Sequence, residues 1–509
     1  MTVVLTTRSL SRSDVVRVAR RAEPVEIGDD AWARVRSSRE GIESMVRSGI
    51  PVYGVSTGFG SLANTFVEPG SRQQLQRSLV RSHAAGLGDW VEDEVVRAMM
   101  LCRLTTLASG VAGVRAETVD AYAALLNAGV TPGVHEFGSL GCSGDLAPLA
   151  HVALVVMGEG WARYRGEVLE GARALEEAGL RPLTLAEKEG LALLNGTDGM
   201  LAHLILALED FAQLLDTLDA AAAVSVQALR GTDRVFSAEL QALRPHPGQA
   251  RSAERILALL ADSPMVASHL HDTSQVQDAY SLRCAPQVHG AARDTWAHAA
   301  RVADVELAST IDNPSVLGEG RLSSNGNFHG APVAYVLDFL AIASADVASM
   351  SERRTDRLLD VHRNFGLPPF LADDPGVDSG LMIAQYTQAA LVSEMKRWAS
   401  PASVDSIPSS AMQEDHVSMG WHAGRKLRRS LEALARVVAI ELVAGTRAMA
   451  LRGLDQASPA TRPLLDLVTE LSGPPGPDRF LAPELAAVAE AVKDGRVARA
   501  VNTALGEGE

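Results

Sequence analysis

Residues 188–231 read KEGLALLNGTDGMLAHLILALEDFAQLLDTLDAAAAVSVQALRG. The second half of this stretch is rich in alanine and leucine and holds no proline. Its apolar positions recur with a period near 3.6, which reads as a long helix in the core of a bundle. The same period governs most of the chain. SRSDVVRVARRA (11–22) opens with a serine and an aspartate suited to N-capping. DAWARVRSSREGIESMVRSG (30–49) is amphipathic and ends in glycine. Helices are expected over 72–88, 92–110 and 116–128, and long ones over 331–355, 380–399 and 417–453. DLAPLAHVALVVMGEG (145–160) reads as a buried helix, and WARYRGEVLEGARAL (161–175) as a small hairpin around Gly166. PVYGVSTGFGSL (51–62) reads as a short β-rich loop, and SGPPGPDRF (472–480) as a loop before a short helical tail. Strand signals are few and no solenoid repeat is present. The expected fold is mainly α: a mixed region over 1–200, then a long-helix bundle and C-terminal helical region over 201–509.

Composition narrows the function. Of 509 residues, 47% are apolar and 21% charged, ordinary for a globular protein, and the formal net charge is −15. That balance disfavours nucleic acid and anionic membrane surfaces as partners, since both call for basic patches. Three well-separated cysteines, Cys102, Cys142 and Cys284, form neither a disulfide framework nor a CxxC metal pattern. They fit a reducing compartment. The N-terminal stretch lacks the apolar core of a secretion signal, and no uncharged apolar run is long enough to span a bilayer. A cytoplasmic protein is expected. The histidines show no HExxH or other ligand spacing, so no metal is expected.

The unusual polar residues sit in the irregular segments between helices, where a site is expected. These are YGVSTGFG (53–60), RSHAAG (81–86), GSLGCSGD (138–145), LLNGTDG (193–199), QDAYSLRCAPQ (277–287), SSNGNFHG (323–330) and SSAMQEDHVSMG (409–420). In GSLGCSGD a glycine follows Ser143 directly, so this is not the Gly-x-Ser-x-Gly elbow of a hydrolase. Its glycines mark a backbone in unusual dihedrals or close approach. Taken alone, the turn also reads as a helix-initiating loop with Asp145 near the cap.

Taken together and in order, these segments resemble the histidine and aromatic-amino-acid ammonia-lyase family, over most of the chain. The resemblance implies a long-helix, ammonia-lyase/fumarase-like architecture. It also implies a homotetramer whose sites are shared between subunits, and a self-formed electrophile, 4-methylidene-imidazol-5-one (MIO), with no external cofactor. By resemblance the ring forms from Cys142, Ser143 and Gly144. The Gly144 nitrogen attacks the Cys142 carbonyl carbon, two waters are lost, and Ser143 becomes a methylidene. The residue types suit this chemistry: Gly144 has no Cβ to clash, Ser143 has a hydroxyl to eliminate, and residue 142 gives only its carbonyl carbon. Cys142 stands where the family usually has alanine. Ser56 and Met412 stand where asparagine is commoner.

The implied reaction is loss of ammonia from L-histidine to give trans-urocanate, the opening step of histidine degradation. Tyr53 is the base candidate by resemblance, with Glu414 as the alternative for the β-proton. A phenol titrates near ~10, so Tyr53 needs a depressed pKa to act at neutral pH. His83 and Glu414 read as partners of the substrate imidazole, and this pair favours histidine over phenylalanine or tyrosine as substrate. Arg283 reads as the clamp for the substrate carboxylate, because its planar fork suits a bidentate bond. Asn195, Gln277 and Tyr280 are neutral hydrogen-bonding groups for the amine, carboxylate or ring oxygen. Phe328 reads as a pocket wall. A helical scaffold without chemistry is the competing class, and the intact Ser143-Gly144 pair and Arg283 speak against it.

Overall fold

In the computed structural model of the chain, which describes residues 2–6, 10–48, 57–58, 65–271, 276–318 and 321–507, the apolar stretch forms one helix, Asp198–Ala228. Its four consecutive alanines, Ala220, Ala221, Ala222 and Ala223, are all buried. Side chains this small let neighbouring helices approach closely. Around it the fold is mainly α, with the long helices Ala285–Leu307, Ala331–Leu359, Met382–Trp398 and Gly420–Arg452. By compactness the chain falls into two units, each discontinuous in sequence. One comprises Met1–Leu206, Ala299–Asp338 and Pro401–Arg425, the other Ala207–His298, Phe339–Ser400 and Lys426–Glu509.

The first unit holds the named strands and several short helices. Helix Arg12–Arg21 starts with a capping box: Ser11 accepts from the Asp14 backbone N–H while the Asp14 carboxylate accepts from that of Ser11. Helices Arg72–His83, Asp93–Ala108 and Ala116–Asn127 follow. The first of these stops short of the expected 88, because the chain turns through Gly86 and Gly88 into strand Leu87–Trp90, which pairs antiparallel with His135–Phe137. Strands Trp161–Tyr164 and Glu167–Glu170 form the expected hairpin. Arg165 and Gly166 at its tip both have positive φ, as the twist-matched two-residue turn requires. Thr131–Pro132 adds a third strand. Helix Leu146–Val156 is buried along most of its length.

The second unit has a polar interior among its packed helices. Glu441 and Arg354 are both fully buried and meet as a fork: Nε to Oε1 is 2.5 Å and Nη2 to Oε2 is 2.9 Å. Ser225 and Ser351 donate to the same carboxylate at 2.8 and 2.6 Å. Beside it, buried His289 meets Asp219 at 2.8 Å, and Arg293 donates to that carboxylate at 2.6 Å. Helix Ala331–Leu359 is long and apolar enough to cross a membrane by length and composition. Its Val333, Leu337, Leu340 and Val347 are nonetheless buried within the protein, together with Asp338, Ser344 and Ser351.

Among the described helices that go beyond the sequence expectation are Pro247–Leu260 and Ala285–Leu307. Each carries a proline in its first turn, where the missing N–H has no intrahelical partner to lose. In the second, this disguised a helix start as the end of a loop.

The buried fork yields a stability prediction. Glu441→Leu leaves Arg354 buried without its counter-charge and should cost about 3–5 kcal/mol. The double variant with Arg354→Met should recover most of that loss. Guanidinium unfolding followed by circular dichroism checks both, and a single variant within ~0.5 kcal/mol of the parent would contradict the assignment.

Candidate active site

The loop 139–145 is held by the starts of three helices of the first unit. Leu146–Val156 follows it directly. Ahead of Asp198–Ala228, the Gly196 carbonyl accepts from the Asp145 backbone N–H at 2.8 Å. Ahead of Gly420–Arg452, the Met419 N–H donates to the Leu140 carbonyl at 3.0 Å, and the Ser418 hydroxyl to the Gly141 carbonyl at 3.3 Å. The positive ends of three helix dipoles therefore surround one turn. Gly141 and Gly144 have φ of +72° and +76°. A Cβ on Gly144 would overlap the Gly196 carbonyl, and one on Gly141 the Ser418 hydroxyl. At Gly144 the obstacle is backbone, so that position admits only glycine, and at Gly141 a side chain would be strained.

Asp145 corrects the simple cap reading. It precedes Leu146–Val156 but makes no side-chain cap to that helix. Its carboxylate accepts instead from the Met200 N–H at 2.8 Å, in the first turn of Asp198–Ala228, and from the Ser139 hydroxyl at 2.9 Å. Burial pushes Asp145 up to about 7, against the opposing pull of those two donors. One residue thus fastens the turn to a second helix.

The Ser143 hydroxyl donates to the amide oxygen of Asn195 at 2.6 Å. Asn195 is fully buried, and its amide nitrogen donates to the Asn313 carbonyl at 2.8 Å and to Asp312 Oδ1 at 3.3 Å. Arg103, also buried, ties the surrounding backbone: its guanidinium donates to the carbonyls of Asn195 at 2.6 Å and Ile311 at 2.7 Å. Asp312, Arg103 and the buried Lys188 behind them carry no local sequence signal, because each lies far along the chain from Ser143.

Glu414 and His83 belong to the same unit as Ser143. His83 Nδ1 lies 2.9 Å from the Leu79 carbonyl, so that nitrogen carries the proton and Nε2 keeps its lone pair. Burial lowers His83 below the usual histidine range, while the nearby Glu414 carboxylate acts in the opposite direction. Glu414 accepts from the Ser409 hydroxyl at 2.9 Å, and the two residues pair through their backbones. Between them Ser410, Ala411 and Met412 all have positive φ, a strained turn for side-chain-bearing residues. Burial, with Glu414 adding to it, pushes the Cys142 thiol up to about 12. Phe328 is half-buried, and His329 beside it stacks on His416 with ring centroids 5.6 Å apart.

Gln277, Tyr280 and Arg283 belong to the second unit. Arg283 Nε donates to the Asp278 carbonyl at 3.0 Å, and the guanidinium lies 4.6 Å from the Tyr280 ring centroid. Tyr280 is 70% exposed. Tyr53 and Ser56 lie outside the described residues. Among the described residues, no three His, Cys, Asp or Glu side chains come together in a way that could hold a metal ion. The residues at 142–144 fit a backbone-derived ring: the left-handed Gly144 is pressed against the Gly196 carbonyl, and the Ser143 hydroxyl is held at one acceptor.

Residues 10–470 match the aromatic amino acid lyase family. The chain is 59% identical to a histidine ammonia-lyase of Streptomyces avermitilis over 508 residues, covering 99% of each. It is similar to a solved tyrosine aminomutase from Streptomyces globisporus, with a TM-score of 0.94, 36% identity and 99% of each chain covered. It is also similar to a solved histidine ammonia-lyase from Trypanosoma cruzi, with a TM-score of 0.91 and 37% identity, covering 99% of this chain and 96% of that one.

The raised Cys142 thiol is chemically quiet at neutral pH, since the thiolate is the reactive form. Iodoacetamide at pH 7.5 should leave Cys142 unmodified in the native protein and alkylate it in urea, as read by peptide mapping. Rapid native labelling of Cys142 would contradict its environment.

Proposed function

The chain belongs to the aromatic amino acid lyase family, and on that premise we propose that it deaminates L-histidine to trans-urocanate and ammonia. The observation that carries the reading is the Ser143 hydroxyl held 2.6 Å from Asn195 on a glycine-locked turn, in one unit with His83 and Glu414. Cys142, Ser143 and Gly144 form the MIO ring, with no external cofactor. When formed, that group supplies an electrophile for the substrate amine and makes it a better leaving group.

The remaining work falls to side chains. His83, with its proton turned to Leu79, offers Nε2 to one N–H of the substrate imidazole. The Glu414 carboxylate accepts from the other N–H. Two acceptors favour the doubly protonated imidazolium, which draws charge from the side chain and makes the β-proton easier to remove. Tyr53 or Glu414 takes that proton. The Asn195 amide oxygen accepts from the reacting amine, and the three helix N-termini around the turn favour negative charge developing there. The Cys142 thiol, kept protonated by burial, does not compete for the electrophile.

The substrate carboxylate is held by Arg283, aided by Gln277 and Tyr280, and Phe328 walls the pocket. The three polar residues belong to the second unit, and Tyr280 is largely exposed. In a homotetramer the sites are shared between subunits, so a single copy is inactive. The protein works in the cytoplasm on a small molecule, with neither nucleic acid nor membrane as partner; the cysteines Cys102, Cys142 and Cys284 are all free.

Purified protein mixed with L-histidine should produce urocanate absorbance, and Ser143→Ala should abolish it. His83→Leu should lower kcat/KM for histidine by about 100-fold, because a buried polar contact to the imidazole is lost. Full activity of His83→Leu would remove the histidine assignment. Cinnamate or coumarate from phenylalanine or tyrosine, with none from histidine, would move the substrate.

A further inference from the structure

Behind Asn195 lies an ion pair that the reaction above does not use. Lys188 and Asp312 are both fully buried, and the ammonium bonds Asp312 Oδ2. The other carboxylate oxygen, Oδ1, accepts from the Asn313 N–H at 2.9 Å and from the Asn195 amide nitrogen at 3.3 Å. The same amide nitrogen donates to the Asn313 carbonyl at 2.8 Å. Both amide protons of Asn195 are therefore placed on acceptors. Turning the amide over would set its oxygen against a carboxylate and a carbonyl, three acceptors facing one another. The amide has one allowed orientation, and in it the oxygen faces the Ser143 hydroxyl at 2.6 Å. Lys188 also stands at φ +76°, a costly backbone for a residue with a side chain. The ammonium is thus delivered to Asp312 from a strained position.

We propose that Lys188 is a positioning residue for the Ser143 turn. Through Asp312 it locks the Asn195 amide oxygen onto the serine, and the ring-forming dehydration of Cys142-Ser143-Gly144 depends on that lock. The inference rests on the MIO reading. In that dehydration the Gly144 nitrogen bonds to the Cys142 carbonyl carbon. The carbonyl oxygen leaves as water with the amide protons of Ser143 and Gly144. The second water takes the Ser143 hydroxyl and its Cα proton, and no oxidant is needed. Because the hydroxyl donates to Asn195, Ser143 is held in one rotamer and its Oγ lone pairs stay free for the departing proton. Without the ammonium, the buried carboxylate loses its counter-charge. Asp312 then shifts or is neutralised, and the acceptor that holds Asn195 goes with it.

The test follows ring formation by intact mass and peptide mapping in folded protein, independent of turnover. The parent should be two waters lighter than its sequence. Folded Lys188→Met should remain at full mass, or lose the waters about 10- to 100-fold more slowly. Glu441→Gln, which disturbs a buried ion pair in the second unit, should lower thermal stability and still lose both waters. Should Lys188→Met yield no folded protein, Lys188→Arg keeps the charge but displaces its hydrogen bonds, and slower water loss is again expected. Water loss at the parental rate in the folded lysine variant, or in Glu441→Gln and Lys188→Met slowed alike, would overturn the positioning role. A parent at full mass would instead overturn the MIO reading itself.

Discussion

Gly144 has no room for a side chain. The carbonyl of Gly196 occupies the place where its Cβ would stand, and its φ of +76° is one that side-chain-bearing residues rarely adopt. This close approach of two backbones joins the turn before Leu146–Val156 to the turn before Asp198–Ala228. Much of the candidate site follows from it. It sets Asn195 opposite Ser143, allows Asp145 to reach Met200, and gathers helix starts around one short loop. The constraint is steric and local, yet it is maintained by a long buried helix whose apolar length cannot easily shift.

The polar groups around the turn divide by what they can do. Asn195, Asp312, Lys188 and Arg103 are buried and spend their hydrogen bonds on one another or on the backbone. Such groups orient others. His83 and Glu414 are less enclosed, and His83 retains a ring nitrogen with its lone pair available. Such groups can meet a ligand. The strained turn at Ser410–Met412 fits the same division, since strain is kept where a side chain must be aimed.

Much of this was legible in the sequence. The long helices follow from the 3.6 period, the hairpin from Gly166, and the start of Arg12–Arg21 from Ser11 and Asp14. The loops rich in glycine and asparagine marked where Ser143, Asn195, His83 and Glu414 lie. What escaped has physical reasons. Prolines in the first turns of Pro247–Leu260 and Ala285–Leu307 hid two helix starts. Asp145 sits at one helix and caps another, which no local pattern records. Lys188 and Asp312 find each other only through the fold, and their individual contexts are those of ordinary surface residues. Tyr53 lies outside the described residues.

Everything in the proposed chemistry depends on this turn making Ser143 part of an electrophile. The most direct measurement is the mass of the peptide spanning Cys142, Ser143 and Gly144 from the purified parent protein, digested without reductive treatment. The peptide is expected to be two waters lighter than its sequence. A peptide of full mass, from protein that is folded and assembled, would contradict it.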